Sequence, residues 1–217
     1  MSQFPANIDL SNLDGTTGFR LSGVDPADHS GISVASAGDV NGDGFADVIV
    51  GAPFADAHGA DSGASYVVFG KAGGFGPNVD LSSLDGSNGF KLSGVAERDL
   101  SGHSVASAGD VNGDGFADVI IGAYGADPNG SYSGASYVVF GQAGGFAPNI
   151  DLSSLDGANG FKLSGVAVRD LSGWSVASAG DVNGDGFADL IIGAKLAGPH
   201  GNASGASYVV FGKADGF

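Results

Sequence analysis

Asp39-Val40-Asn41-Gly42-Asp43-Gly44-Phe45-Ala46-Asp47 recurs without change at 110–118 and again at 181–189. Both steps are 71 residues, and other positions keep the same phase: Phe4, Phe75, Phe146 and Phe217, and likewise Tyr66, Tyr137 and Tyr208. A long fixed period means that one supersecondary unit is used three times, so the chain reads as an array rather than one irregular core. Residues 1–217 are taken as a single repeat array with units 4–74, 75–145 and 146–216. The sequence starts and stops almost on a unit boundary, without caps or linkers, as an excised or engineered array would.

Strand signals fill each unit. In the second, Gly89-Phe90-Lys91-Leu92-Ser93-Gly94 alternates like a half-exposed strand, and Ser104 to Val111 is small and β-branched. Asp118-Val119-Ile120-Ile121-Gly122-Ala123 and Gly134 to Gly141 read as buried strands. No window holds a capped helical period. The 41 glycines, with Asp, Asn and Ser, supply the tight turns that many short strands need. Four short strands per unit, repeated, is the composition of a β-propeller blade.

The formal net charge of −16 repels phosphate backbones and anionic lipid, so nucleic-acid binding is not expected. No apolar run approaches a membrane span, so no membrane insertion is expected, and the start at Met1 shows no signal peptide. The absence of cysteine excludes disulfides, thiolate metal sites and a Cys nucleophile.

The carboxylates are concentrated in the repeated nonapeptide, and that concentration invites a cation. Calcium takes six to eight hard oxygen ligands. Asp39, Asn41, Asp43 and Asp47 can supply side-chain oxygens and Phe45 its carbonyl, while Gly44 allows the bend. The same roles fall to Asp110, Asn112, Asp114, Phe116 and Asp118, and to Asp181, Asn183, Asp185, Phe187 and Asp189, giving three Ca2+ per chain. An EF-hand needs Glu at position twelve, where this chain has Val50, Ile121 or Ile192. The loop is therefore expected between strands, not between helices. Magnesium prefers a smaller octahedral site that keeps its waters, and zinc or copper would want thiolate or imidazole. The alternative is a metal-free Asp/Asn/Gly turn.

Val138-Val139-Phe140-Gly141 and Ile121-Gly122-Ala123, flanking the loop at 110–118, resemble the FG-GAP repeat of integrin α-subunit propellers and related bacterial proteins. Gly51-Ala52-Pro53 completes the pattern in unit one; Tyr124 and Lys195 replace the proline elsewhere. The resemblance covers all three units. It implies an all-β propeller of four-stranded blades, a calcium loop between the first and second strands, and an extracellular or cell-surface location. Seven blades are usual there, and three are too few to close a ring.

Each unit is expected to give the outer strand of one blade (Gly18 to Gly23 in unit one) and the inner three strands of the next. The last three strands then need an outer strand from another chain. The expected partner is a second copy, in a cyclic homodimer of six blades, with a trimer of nine as the alternative.

Variation between units gathers in 25–32, 96–103 and 167–174, and in 53–61, 124–132 and 195–203. In an up-and-down blade both sets emerge opposite the metal loops. They carry His29, Ile32, His103, Tyr124, Tyr132, Trp174 and Lys195, a candidate face for a protein or glycan ligand, as the resemblance also implies. The alternative is loop drift without a ligand. No Gly-x-Ser-x-Gly elbow, phosphate loop or His-Glu-x-x-His helix is present, so no enzyme is expected. Two readings remain: an adhesion-type recognition module, and a structural self-assembling scaffold with no evolved ligand.

Overall fold

A computed structural model describes residues 7–214. Phe4, Phe217 and the outermost residues of units one and three lie outside the described residues. Unit one supplies β1 (Arg20–Ser22), β2 (Ser33–Gly38), β3 (Asp47–Ala52) and β4 (Ala64–Val68). Unit two supplies β5 (Asn78–Asp80), β6 (Gly89–Ser93), β7 (Ser104–Gly109), β8 (Asp118–Ala123) and β9 (Ala135–Val139). Unit three supplies β10 (Asn149–Asp151), β11 (Gly160–Ser164), β12 (Ser172–Gly180), β13 (Asp189–Ala194) and β14 (Ala206–Val210). Among the described residues there is no α-helix. The helical turns are single 3₁₀ turns at Leu10–Asn12, Leu81–Ser83 and Leu152–Ser154, each capped by the preceding Asp.

Sheets do not coincide with units. The first full sheet runs β2-β3-β4-β6, the second β7-β8-β9-β11 and the third β12-β13-β14, all antiparallel. Thus β6 of unit two completes the sheet begun in unit one, with Tyr66 opposite Lys91; β11 does the same one unit later, with Tyr137 opposite Lys162. Among the described residues the third sheet stops at β14, and β1 pairs with β5 alone.

Two features differ from the sequence reading. Units two and three each carry a fifth strand: β5 lies parallel to β1, and β10 lies parallel to β6. It is only three residues, Asn-Val-Asp or Asn-Ile-Asp, too short to show a period. That extra strand also explains why β6 is buried apart from Lys91 rather than half-exposed: both of its edges are paired.

The sheets stack through their inner strands. Val105 N–H donates to Ser33 Oγ at 3.0 Å and, one step on, Val176 N–H donates to Ser104 Oγ at 3.1 Å. Between the first two sheets lies an apolar layer that includes Phe69, Phe90, Leu92, Tyr137 and Leu152, with Phe146 stacked on Phe90 at 4.2 Å. Gly51 and Gly122 lie against the carbonyls of Gly102 and Gly173, so a Cβ at either would strike the next sheet's backbone. That is the packing role of the glycine in Gly-Ala-Pro.

Candidate metal centres and the loop face

Each nonapeptide joins the first two strands of a sheet: 39–46 between β2 and β3, 110–117 between β7 and β8, 181–188 between β12 and β13. Its first Asp organises the turn. Asp39 Oδ1 accepts from Gly42 N (2.8 Å) and Asp43 N (3.1 Å), and Oδ2 accepts from Gly44 N (2.9 Å). Asn41 Oδ1 accepts from Asp43 N at 3.0 Å, and Asp43 Oδ1 accepts from Phe45 N at 2.9 Å. Asp110 and Asp181 repeat the scheme, with Asn112 and Asp114, and Asn183 and Asp185, in the same roles. Gly42 and Gly44 take φ of 72° and 88°, a region side chains rarely adopt, which is why neither varies between units.

The last Asp of the loop is buried. Asp47 is 1% exposed, and Asp118 and Asp189 are 0%. Asp47 Oδ2 accepts from Val40 N at 2.9 Å and Oδ1 from Gly70 N at 2.8 Å. The equivalent donors are Val111 and Gly141 for Asp118, and Val182 and Gly212 for Asp189. Phe-Gly is therefore half of the loop's architecture: its glycine N–H holds the buried carboxylate. A Cβ at Gly70 or Gly141 would lie 2.5 Å from the carbonyl of Ala46 or Ala117. Burial, helped by the neighbouring carboxylates and opposed by the backbone N–H groups, pushes Asp47 up to about 6 and Asp118 up to about 7.

Among the described residues no group of three or more His, Asp or Glu side chains is gathered as a metal cluster. The loop carboxylates are turned onto backbone N–H groups. Their chemistry nonetheless suits a hard cation. An ionised carboxylate offers about four lone-pair sites. The hydrogen bonds above use three on Asp39 and two each on Asp43 and Asp47, counting Asn41 Nδ2 on Asp43 Oδ2. Oxygen capacity remains on all three, and the donor set contains neither sulfur nor imidazole.

The position-seven Phe has a second role that its spacing does not reveal. The Phe116 ring lies against Gly42 of the preceding loop, and Phe187 lies against Gly113. Ala117 N donates to Asp39 O at 3.0 Å and Ala188 N to Asp110 O at 2.9 Å. Successive loops therefore brace one another. In unit one Phe45 is exposed, and in unit three no ring among the described residues lies against Gly184.

The variable segments meet at the strand ends opposite these loops. Arg98 N donates to Ala60 O, and Leu100 N to Asp61 O. Of the residues read as a candidate ligand face, four come together. His103, Tyr124 and Trp174 have ring centroids 4.6 Å apart in every pairing, and the Lys195 ammonium sits over the Trp174 ring. His29 stands apart, edge-on to Phe54 at 4.9 Å; Ile32 is exposed, and Tyr132 is exposed with its N–H on Asp127. The backbone here does not drift with the sequence. Ala27, Arg98 and Arg169 share φ values of 71°, 64° and 65°, and Asp28, Asp99 and Asp170 each accept from a backbone N–H three residues earlier.

The FG-GAP repeat matches this chain three times, at residues 30–68, 101–139 and 172–210. Those spans run from the start of the inner strand of a sheet, or just before it, to the end of its third strand, with the metal loop inside each. Among curated proteins, integrin alpha pat-2 of Caenorhabditis elegans is 35% identical over 175 residues, covering 76% of this chain and 13% of that protein. Integrin alpha-4 of Xenopus laevis is 31% identical over 181 residues, covering 82% and 15%. Phosphatidylinositol-glycan-specific phospholipase D of Bos taurus is 33% identical over 172 residues, covering 77% and 19%. The chain thus spans less than a fifth of the length of these relatives. With three matches in register with three sheets and three loops, the chain belongs to the FG-GAP repeat family.

Proposed function

We propose that this chain is a calcium-stabilised, non-catalytic β-propeller module that closes its ring by joining head to tail with a second copy. The observation that carries this reading is that surfaces covered between units inside the array are exposed in the first and last units. Val40 and Val111 are fully covered by the next unit, whereas Val182 is 60% exposed. Val105 and Val176 are buried under the preceding sheet, whereas Val34 is exposed. Phe45 lacks the loop that Phe116 and Phe187 lie on; the loop around Gly184 lacks the ring that Gly42 and Gly113 receive. Translating the internal contacts by one unit places Phe45 of a second copy on Gly184. It also places the second copy's β1 beside β14, with Tyr208 opposite Arg20 as Tyr66 is opposite Lys91. An uncovered β14 edge would otherwise offer open N–H and C=O groups for aggregation.

Two chains give six blades; three would give nine. The dimer is favoured because propellers of four to eight blades are the usual closed forms. Light scattering should give twice the 21.1 kDa chain mass. A stable single-chain mass sinks the reading.

Calcium is the metal this donor set suits, and the family likeness points the same way. It would sit among Asp39, Asn41, Asp43, Phe45 and Asp47, and their equivalents, and neutralise carboxylates that crowd one turn. The likeness to integrin alpha subunits supports an extracellular or cell-surface setting. For the opposite face we favour recognition of a protein or glycan over a scaffold without a ligand. The favouring observation is that the variable residues ride on a fixed backbone and assemble a His103–Tyr124–Trp174 cluster. Array screening with and without calcium tests it, and loss of binding in Trp174→Ala should follow. Silence across protein and glycan arrays would leave the scaffold reading standing.

A further inference from the structure

The junction proposed above, on which this inference rests, requires more than a single shared strand. We infer that residues 7–10 of the second copy form a latch: a short parallel strand on β11 that seats Leu10 in a cavity beside β14. The cavity, about 140 Å³, is lined by Leu163, Val166, Ile192, Tyr208 and Val210 among others. One unit earlier the same position is filled. Leu152 is 2% exposed and belongs to a core with Leu92, Ile121, Tyr137 and Val139, the residues 71 positions before Leu163, Ile192, Tyr208 and Val210. Two units earlier Leu81 is again 2% exposed, packed with Val50, Tyr66, Val68 and Leu21. Leu10, the third member of the series, is 77% exposed in its own chain, and Ile8 beside it is 47% exposed. The array therefore carries one leucine plug without a socket and one socket without a plug.

The segment that would deliver the plug matches those that do so in the other units. In β5 and β10 the three residues before the leucine lie parallel to the preceding outer strand, pairing Arg20 with Asn78 and Lys91 with Asn149. A side-chain peg fixes each register: Ser22 Oγ donates to Asn78 Oδ1 at 2.6 Å, and Ser93 Oγ donates to Asn149 Oδ1 at 2.7 Å. Unit one has the matching Asn7-Ile8-Asp9-Leu10, and Asp9 already caps the 3₁₀ turn that presents the leucine. The register at the junction is Lys162 opposite Asn7, Leu163 opposite Ile8 and Ser164 opposite Asp9 of the second copy, with Ser164 on the Asn7 peg. Each chain thus gives its neighbour two strands from one segment, 7–9 to β11 and β1 to β14.

The test uses the absence of native cysteine. A Ser164→Cys, Asp9→Cys chain should form a disulfide-linked dimer on mild oxidation, because facing residues on adjacent strands approach within disulfide range. Leu10→Asp should weaken the dimer by about 100-fold per junction, the scale of losing a buried leucine, without changing the circular dichroism of the dilute single chain. Assembly that persists with neither the cross-link nor an effect of Leu10→Asp overturns the latch and leaves the head-to-tail ring intact. A wild-type chain that stays single at all concentrations overturns both.

Discussion

Asp118→Asn isolates the energetic conflict inside a metal loop. The carboxyl is fully buried, and its two oxygens accept from Val111 N and Gly141 N, each at 2.9 Å. An amide of the same shape can satisfy only one of these donors, leaving a buried N–H unpaired at a cost of about 1–3 kcal/mol. The charge itself works the other way. Burial holds Asp118 at about 7 against an ordinary value of 3.8, so the folded state binds more protons than the unfolded state between those values. Stability then falls as pH rises through that window, and the loss is complete above pH 7. At ~1.36 kcal/mol per pH unit, this carboxyl alone accounts for a loss on the order of 4 kcal/mol. The assay is urea unfolding in excess chelator at pH 4.5, 6 and 8, for wild type and Asp118→Asn. The variant should be the less stable at pH 4.5, and the gap should close or reverse by pH 8. Parallel pH profiles would refute the argument, because they would mean the carboxylate is ionised in the fold at no cost.

Further outcomes follow from the same geometry. Chelation should lower the melting temperature and calcium should restore it: with a dissociation constant on the order of 10⁻⁴ M, 1 mM calcium stabilises each loop by about 1.4 kcal/mol. Isothermal titration should count three sites per chain, and an unchanged melt in chelator would dismiss calcium. Gly141→Ala should cost about 1–3 kcal/mol by forcing its Cβ onto Ala117 O and Phe116, whereas Gly144→Ala, with open space around it, should be limited to its positive-φ strain; equal melts would contradict the steric account. Leu152→Ala should cost about 2–5 kcal/mol in the single chain, while Leu10→Ala should be neutral there and act only on assembly. Burial, then Lys195, holds the His103 pKa below 6.5, so protonation opposes folding. The aromatic cluster's contribution should be full above pH 6.5 and lost as pH falls through the lowered value, read from Trp174 fluorescence; a signal that is flat with pH would discount it.

Much of this protein is written in local sequence. The 71-residue period, the Asp-rich turn and the runs at 118–123 and 134–141 announce strands joined by an organised loop, because turn chemistry and apolar alternation act over a few residues. The absence of Glu at position twelve was enough to set the loop between strands. Other features depend on residues that meet only after folding. The glycine of Phe69-Gly70 holds Asp47 across a 23-residue separation, Phe116 braces a loop one unit away, and β5 and β10 exist because another strand's edge is there to receive them. Sequence could list the varied residues of the loop face, but packing alone selected His103, Tyr124, Trp174 and Lys195 from among them. The period made units one, two and three look alike. Tertiary structure made them unequal, because burial depends on a neighbour: Val34 and Val182 are exposed, while their counterparts Val105 and Val111 are covered.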